Sequence, residues 1–224
     1  MLTLALDTTA EFGSLALVRD GHVVAETLVH APEGFSGTLF QQIDALLNRA
    51  GLSLADIDVF AAASGPGSFT GVRIGLAAVK GLAEVLGKRA VPVSNLEALS
   101  HYSSAPLRAT VLDARRGEVF AALYAADGRV IIDDQVIRIP HFLELLGALD
   151  FEWVTTDFEP FLPALTGTRF AHLPVCLAPR GLASAIGQIA EARVRSGEPG
   201  EPASVEANYV RRSDAESLWR EPGL

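Results

Sequence analysis

Residues 6–25 read LDTTAEFGSLALVRDGHVVA and residues 112–131 read LDARRGEVFAALYAADGRVI, and the similarity of these two stretches decides the fold. Each opens on an Asp that ends a short apolar strand. A polar turn with Gly follows, then an alternating strand, an Asp-Gly turn and another apolar strand. Asp7 and Asp113 stand 106 positions apart, and Asp20-Gly21 and Asp127-Gly128 stand 107 apart. Asp-Gly between alternating apolar runs predicts a tight hairpin, because that turn needs positive φ. The shared Asp before each hairpin points to an internal duplication.

The segments after each hairpin continue the parallel. Thr38 to Ala50 is predicted helical, because Leu39, Ile43, Leu46, Leu47 and Ala50 fall at helical spacing and Gly51 stands at the stop position. A strand at 58–63 (DVFAAA), a glycine-rich loop and a helix at 72–86 come next. Val91-Pro92-Val93 is a short strand, and Ser94 or Asn95 caps a helix to about Tyr102. In the second half, 140–148 reads as helix, 151–156 as strand and 182–196 as helix, while 157–181, with four prolines, reads as an irregular loop. Hairpin-strands followed by helical crossovers predict an α/β protein with mixed sheets flanked by helices. The lobe boundary falls near Ser103 to Pro106, giving an N-terminal lobe of 1–105 and a smaller C-terminal lobe of 106–224 whose tail returns toward the first.

The 224 residues carry 18 Lys and Arg against 27 Asp and Glu, so the net charge is 18 − 27 = −9. This excludes a protein that grips nucleic acid unaided, since neutralising phosphates takes clustered cations. The only dense basic groups are Arg115-Arg116 and Arg211-Arg212. A hydrophobic content of 49% with 20% charged residues fits a packed globule and not a disordered chain. One cysteine, Cys176, leaves no intrachain disulfide and no Cys-based zinc site. The N-terminus lacks a signal peptide's basic start and long apolar core. The apolar stretches are broken by Asp58, Lys80 or Glu84, well short of the ~20 residues a membrane helix needs. A soluble, cytosolic protein without membrane contact is expected.

The most distinctive motif is Ser64-Gly65-Pro66-Gly67-Ser68-Phe69-Thr70-Gly71-Val72-Arg73-Ile74-Gly75, between a buried strand and a helix. Backbone amides at such a helix start can hold an anion. A Walker loop would need Gly-Lys-Ser/Thr where Thr70-Gly71-Val72 stands, and a dinucleotide loop would need a glycine where Thr70 stands. The loop is therefore built for close approach, either to a phosphate or to neighbouring chain. The helix after it carries small residues at Gly75, Ala77, Ala78 and Gly81, which serve either burial inside this chain or close packing of a partner subunit. Asp7 and Asp113 either face one another across a cleft and hold a magnesium-nucleotide, or merely cap their turns. The five histidines contain no pair at metal-ligand spacing, no Gly-x-Ser-x-Gly elbow is present, and Cys176 reads as packed. No catalytic residue and no metal ligand is assigned.

Asp7-Thr8-Thr9, the Gly65–Gly75 run, Val93-Ser94-Asn95-Leu96-Glu97-Ala98-Leu99 and Asp113-Ala114-Arg115-Arg116-Gly117-Glu118-Val119 together resemble the TsaB family, bacterial partner proteins in tRNA threonylcarbamoyladenosine biosynthesis. Asn208-Tyr209-Val210-Arg211-Arg212 resembles the family's C-terminal Tyr-Leu-Arg. The resemblance runs in order from about residue 2 to 125. It implies two ribonuclease-H-like lobes of the actin, sugar-kinase and chaperone-ATPase (ASKHA) superfamily, in agreement with the repeat. It further implies a non-catalytic subunit that binds a TsaD-like catalytic subunit, is joined by a TsaE-like ATPase, meets tRNA only indirectly and forms a homodimer when alone.

The catalytic partner would carry the metal-binding His-x-x-x-His that this chain lacks; here the first helix begins with Ser36-Gly37-Thr38-Leu39-Phe40. The resemblance assigns the subunit interface to the first two long helices, 38–50 and 72–86, with Leu39, Ile43, Leu46, Arg73, Gly75, Ala78 and Leu82 as its candidates. Asp7, Thr8, Thr9, Gly65, Gly67 and Asp113 are the candidates for ATP or ADP with magnesium, held at a subunit interface and not as a cofactor of this chain's own. The alternative function is a Mg-ATP-dependent phosphotransferase or ATPase of the same superfamily.

Overall fold

The structure, a computed structural model, describes residues 1–210, so the Arg211-Arg212 part of the C-terminal match lies outside the described residues. Strands β1 (Leu2–Asp7), β2 (Phe12–Arg19) and β3 (His22–His30) form the first meander. Helix α1 (Leu39–Ala50), strand β4 (Val59–Ala63), helix α2 (Phe69–Leu86), strand β5 (Arg89–Val93) and helix α3 (Asn95–Ser100) complete the first series. The second series runs β6 (Leu107–Asp113), β7 (Glu118–Ala125), β8 (Val130–Arg138), α4 (Ile139–Leu146), β9 (Glu152–Thr155), α5 (Leu162–Leu165), β10 (Val175–Leu177) and α6 (Ala183–Arg195).

The two five-stranded sheets have the orders β3-β2-β1-β4-β5 and β10-β9-β6-β7-β8. Read from the far end, the second is the first with five added to each number. The hairpins pair antiparallel, whereas β1–β4 and β6–β9 pair parallel. The duplication seen in the hairpins thus extends to the whole sheet. It includes β10, which lies in the stretch read from sequence as irregular; three residues between Pro174 and Pro179 are too few to show a period.

Alternation on β1 explains the layers. Leu2, Leu4 and Leu6 point to a core shared with Leu39, Ile43, Leu46 and Leu47 of α1 and Val72, Leu76, Val79 and Ala83 of α2. The opposite face, with Ala5 and Ala16, packs against α3 and α6. Helix α6 lies on β1 and β2, although it follows the second sheet in the chain. It comes close because Gly187 has no side chain, and a Cβ there would stand 2.6 Å from Val18 Cγ2. Buried Glu191 fastens α6 further, accepting Gly21 N–H at 2.6 Å. The expected second lobe, 106–224, therefore gives up its last part to the first sheet. The chain after α6 also stays there: Ala90 N–H donates to Gly200 O at 2.9 Å and Asn208 N–H to Ser64 O at 2.8 Å. Among the described residues no helix is long and apolar enough to cross a membrane.

Helix α2 begins at Phe69, earlier than the expected Val72, because Ser68 caps it; the Ser68 hydroxyl accepts Gly71 N–H at 3.3 Å. Its glycines serve the chain's own packing. A Cβ at Gly67 would meet Thr9 O at 2.7 Å, one at Gly75 would meet Thr8 Oγ1 at 2.6 Å, and one at Gly71 would collide with Thr8 O. Ser68 N–H donates to Thr9 O at 2.7 Å, and Thr8 Oγ1 donates to Gly71 O at 2.7 Å. Of the two readings of this loop, close approach to neighbouring chain is the one realised. Gly81 differs, having nothing within 4 Å of its Cβ position.

These surroundings predict opposite effects of one substitution at two sites. Gly71→Ala overpacks backbone and should lose on the order of 1–3 kcal/mol of unfolding free energy. Gly81→Ala faces open space in a helix interior and should gain about 0.5–1 kcal/mol. Urea unfolding of the two variants beside the wild type checks the pair.

Candidate functional site

A cleft of about 600 Å³ opens between the sheets, and both Asp7 and Asp113 line it, as do Thr9, Gly67 and Asn95. The carboxylates expected to meet across a cleft are thus brought to one, each from the end of its sheet's first strand. Both also cap their turns. Asp113 accepts Arg115 N–H at 2.8 Å and lies 3.4 Å from the Arg115 guanidinium. Asp7 is buried; its Oδ1 accepts Thr9 N–H at 3.1 Å and the Thr9 hydroxyl at 2.7 Å, and its Oδ2 accepts Leu182 N–H at 3.1 Å. The Thr9 hydroxyl oxygen in turn accepts Asn95 Nδ2–H at 2.7 Å. Burial pushes the Asp7 carboxyl above its ordinary value of 3.8, against the downward pull of the Thr9 and Leu182 hydrogen bonds.

The residues singled out for a magnesium-nucleotide are engaged within the protein. Asp7 receives three protein donors across its two oxygens. Gly65 and Gly67, candidates for a phosphate cradle, are committed to their own chain: Gly65 N–H donates to Asn95 Oδ1 at 3.1 Å, and Gly67 abuts Thr9. Thr8 is likewise engaged with α2. The cleft lining carries the carboxylates of Asp7, Glu11, Asp113 and Asp157 against the guanidinium groups of Arg115 and Arg180, an excess of the wrong sign for a polyphosphate. Among the described residues no group of three or more His, Cys, Asp or Glu could hold a metal ion. The described residues also contain no Ser–His or Cys–His hydrogen bond that would make a nucleophile–base pair. Cys176 donates weakly to Tyr102 O at 3.4 Å, and burial pushes its thiol up.

The second candidate surface is the outer side of α1 and α2, and here the structure corrects the residue choice. Leu39, Ile43 and Leu46 are at most 2% exposed and belong to the core beneath the helices. Gly75 abuts Thr8, Ala78 is buried and Leu82 is half-buried against the same core. Apolar residues at helical spacing are what the chain's own sheet takes. Of the chosen set only Arg73 faces fully outward. The residues in between form the outer stripe on α2: Thr70, Arg73, Ala77, Lys80, Gly81 and Glu84. Phe69 at the start of α2 and Val85 near its end are exposed large apolar side chains beside it, and Phe40 on α1 is exposed as well. The sequence does hold a signal for them: small residues four apart at Ala77 and Gly81 fall out of phase with the buried Val72, Leu76, Val79 and Ala83.

At the N-terminal end of the stripe the chain's own C-terminal strap joins in. Arg73 Nε–H donates to Tyr209 Oη at 2.9 Å, and its guanidinium carbon sits 3.7 Å over the Phe69 ring. Phe69 and Tyr209 have ring centroids 5.5 Å apart. The result is a guanidinium held between two aromatic rings on an exposed surface.

Fold and site together define a two-lobed α/β protein of the actin, sugar-kinase and ATPase architecture with a cleft between its sheets. Two solved structures from Pseudomonas aeruginosa share it: a protein described as similar to peptidase YeaZ (TM-score 0.78, 26% identity, 94% of this chain and 99% of that one) and YeaZ itself (TM-score 0.72, 26% identity, 93% and 99%). The family model for tRNA N6-adenosine threonylcarbamoyltransferase (TsaD) matches residues 30–160. The tRNA threonylcarbamoyladenosine biosynthesis protein TsaB of Bacillus subtilis is 30% identical over 99% of both chains, and that of Escherichia coli is 35% identical over 69% of this chain and 70% of its own. The chain belongs to the TsaB family, whose members serve tRNA threonylcarbamoyladenosine biosynthesis.

The raised Asp7 carboxyl has a pH consequence of fixed sign. As pH rises from 3.8 the unfolded chain releases this proton first, while the native state still holds it. Stability from Asp7 is therefore greatest at low pH and falls as pH climbs through the raised native value, by at most about 1.4 kcal/mol per pH unit. Subtracting the unfolding free energy of Asp7→Asn from that of the wild type across pH should give a curve that declines in this window. A difference that rises with pH contradicts the assignment.

Proposed function

We propose that this chain is a non-catalytic subunit that supports threonylcarbamoyl transfer to tRNA adenosine next to the anticodon. It does so by binding and stabilising a TsaD-like catalytic subunit through the outer side of α1 and α2. The observation that carries this reading is the outer stripe of α2. Ala77 is small and exposed, Gly81 has nothing within 4 Å of its Cβ position, and Phe69 and Val85 stand exposed on the same helix. Glycine in a helix interior costs stability, and close approach of another helix offsets that cost. The same face serves a homodimer when the chain is alone, since an apolar surface of this kind favours coverage by a second copy. A TsaE-like ATPase joins the pair, any ATP or ADP with magnesium is held by the assembly at a subunit interface, and the assembly works in the cytoplasm. A net charge of −9 leaves the tRNA grip to the partners.

The test mixes the purified chain with its TsaD-like partner. The wild type should form a stable heterodimer, and Ala77→Arg or Gly81→Arg should weaken it at least ~100-fold, about 2.7 kcal/mol, while the free chain keeps its wild-type circular dichroism. Affinity unchanged by both substitutions sinks the interface. Heat of Mg-ATP binding to the isolated chain in calorimetry would favour the phosphotransferase reading instead.

A further inference from the structure

Asp134 lies on β8 in the second sheet, yet it joins three parts of the molecule. Its Oδ1 accepts the Tyr124 hydroxyl at 2.7 Å. Its Oδ2 accepts Asn208 Nδ2–H at 2.7 Å and the hydroxyl of Ser94, the N-cap of α3. Tyr124 belongs to the second sheet, Ser94 to the first lobe and Asn208 to the C-terminal strap. An acceptor with this many donors leaves the strap little freedom at residue 208.

The next residue of the strap is Tyr209. Asn208 is fixed on its other side as well: its N–H donates to Ser64 O at 2.8 Å, and its carbonyl stands 3.2 Å from the Cβ position of Gly65. Further back, buried Val205 anchors the strap in the core beneath α2. With residues 205 and 208 held, the Tyr209 ring is presented to Phe69 and its hydroxyl to Arg73 Nε. Arg73 is exposed on the α2 stripe, and the Tyr209 contact engages its Nε; among the described residues no hydrogen bond engages the two terminal nitrogens, the pair of donors that suits a carboxylate. Without the strap, a free arginine would lose more rotamer entropy on binding.

Building on the proposed subunit role, we propose that Asp134 is a positioning residue for the partner face. Through Asn208 and Tyr209 it pre-sets the Arg73 guanidinium for an acidic side chain of the catalytic subunit. The second lobe thereby holds the strap that orders the interface. On this proposal the effect of Asp134 on binding passes through Arg73.

A double-mutant cycle tests this with the purified TsaD-like subunit as the probe. Asp134→Asn keeps the shape and removes one acceptor oxygen; it should weaken the heterodimer about tenfold. In an Arg73→Ala background the same substitution should change affinity less than about twofold, because the group it positions is gone. Asn208→Ala, which cuts the strap link without touching the second lobe, should reproduce both results and stands in if Asp134→Asn does not fold. Equal losses in the two backgrounds, or no loss in either, overturn the positioning role. A wild-type chain that fails to bind at all overturns the subunit reading, and the inference with it.

Discussion

The contact on which the rest of the molecule depends is the seating of α2 on the backbone of Thr8 and Thr9. Glycines at 67, 71 and 75 remove every Cβ that would stand between the helix start and the end of β1. Ser68 N–H and the Thr8 hydroxyl then close hydrogen bonds across the gap. This fixes the helix over the Leu4 and Leu6 face of the sheet, and so decides which of its residues are core and which are surface. It also commits the Ser68 amide and the Thr8 hydroxyl to the chain's own packing. One packing solution thereby bears on both candidate sites.

The chemistry of the two surfaces follows from that division. Inside, Asp7 is desolvated and serves the protein: it caps Thr9 and ties the start of α6 to the end of β1. The cleft between the sheets is lined by four carboxylates and two guanidinium groups, with no group of three or more His, Cys, Asp or Glu that could hold a metal ion among the described residues. Outside, α2 presents small side chains together with exposed Phe69 and Val85, with Arg73 braced by the strap. A surface with aromatic and guanidinium anchors around close-approach positions is suited to a protein partner. The negative net charge fits the same division of labour, since the partner and not this chain would meet RNA.

Much of the fold is legible in the amino-acid sequence because hairpins announce themselves locally. The Asp-Gly turns and the Asp before each hairpin expose the duplication, and the sheet orders repeat it strand for strand. What the sequence hides is non-local or short. Three residues of β10 carry no period, and the apolar residues of α6 do not say which sheet they cover. The start of α2 is masked by glycines, whose need comes from Thr8 and Thr9, about 60 residues away in the chain. The site divides likewise. Asp7 and Asp113 are readable as a pair, but the fate of their oxygens is set by Leu182 and Arg115. The interface helices are readable, yet their most apolar residues, Leu39, Ile43 and Leu46, are taken by the chain's own core. The Tyr209–Arg73 contact joins residues 136 positions apart and has no local signature.

If the outer stripe of α2, and not the cleft, is the working surface, photo-crosslinking within the assembled complex will separate the two. A photoreactive residue would be placed at Ala77 in one sample and at Asp157, in the cleft lining, in another. A covalent link from position 77 to the TsaD-like subunit is expected, and none from position 157. Crosslinking from position 157 with position 77 silent would contradict that assignment.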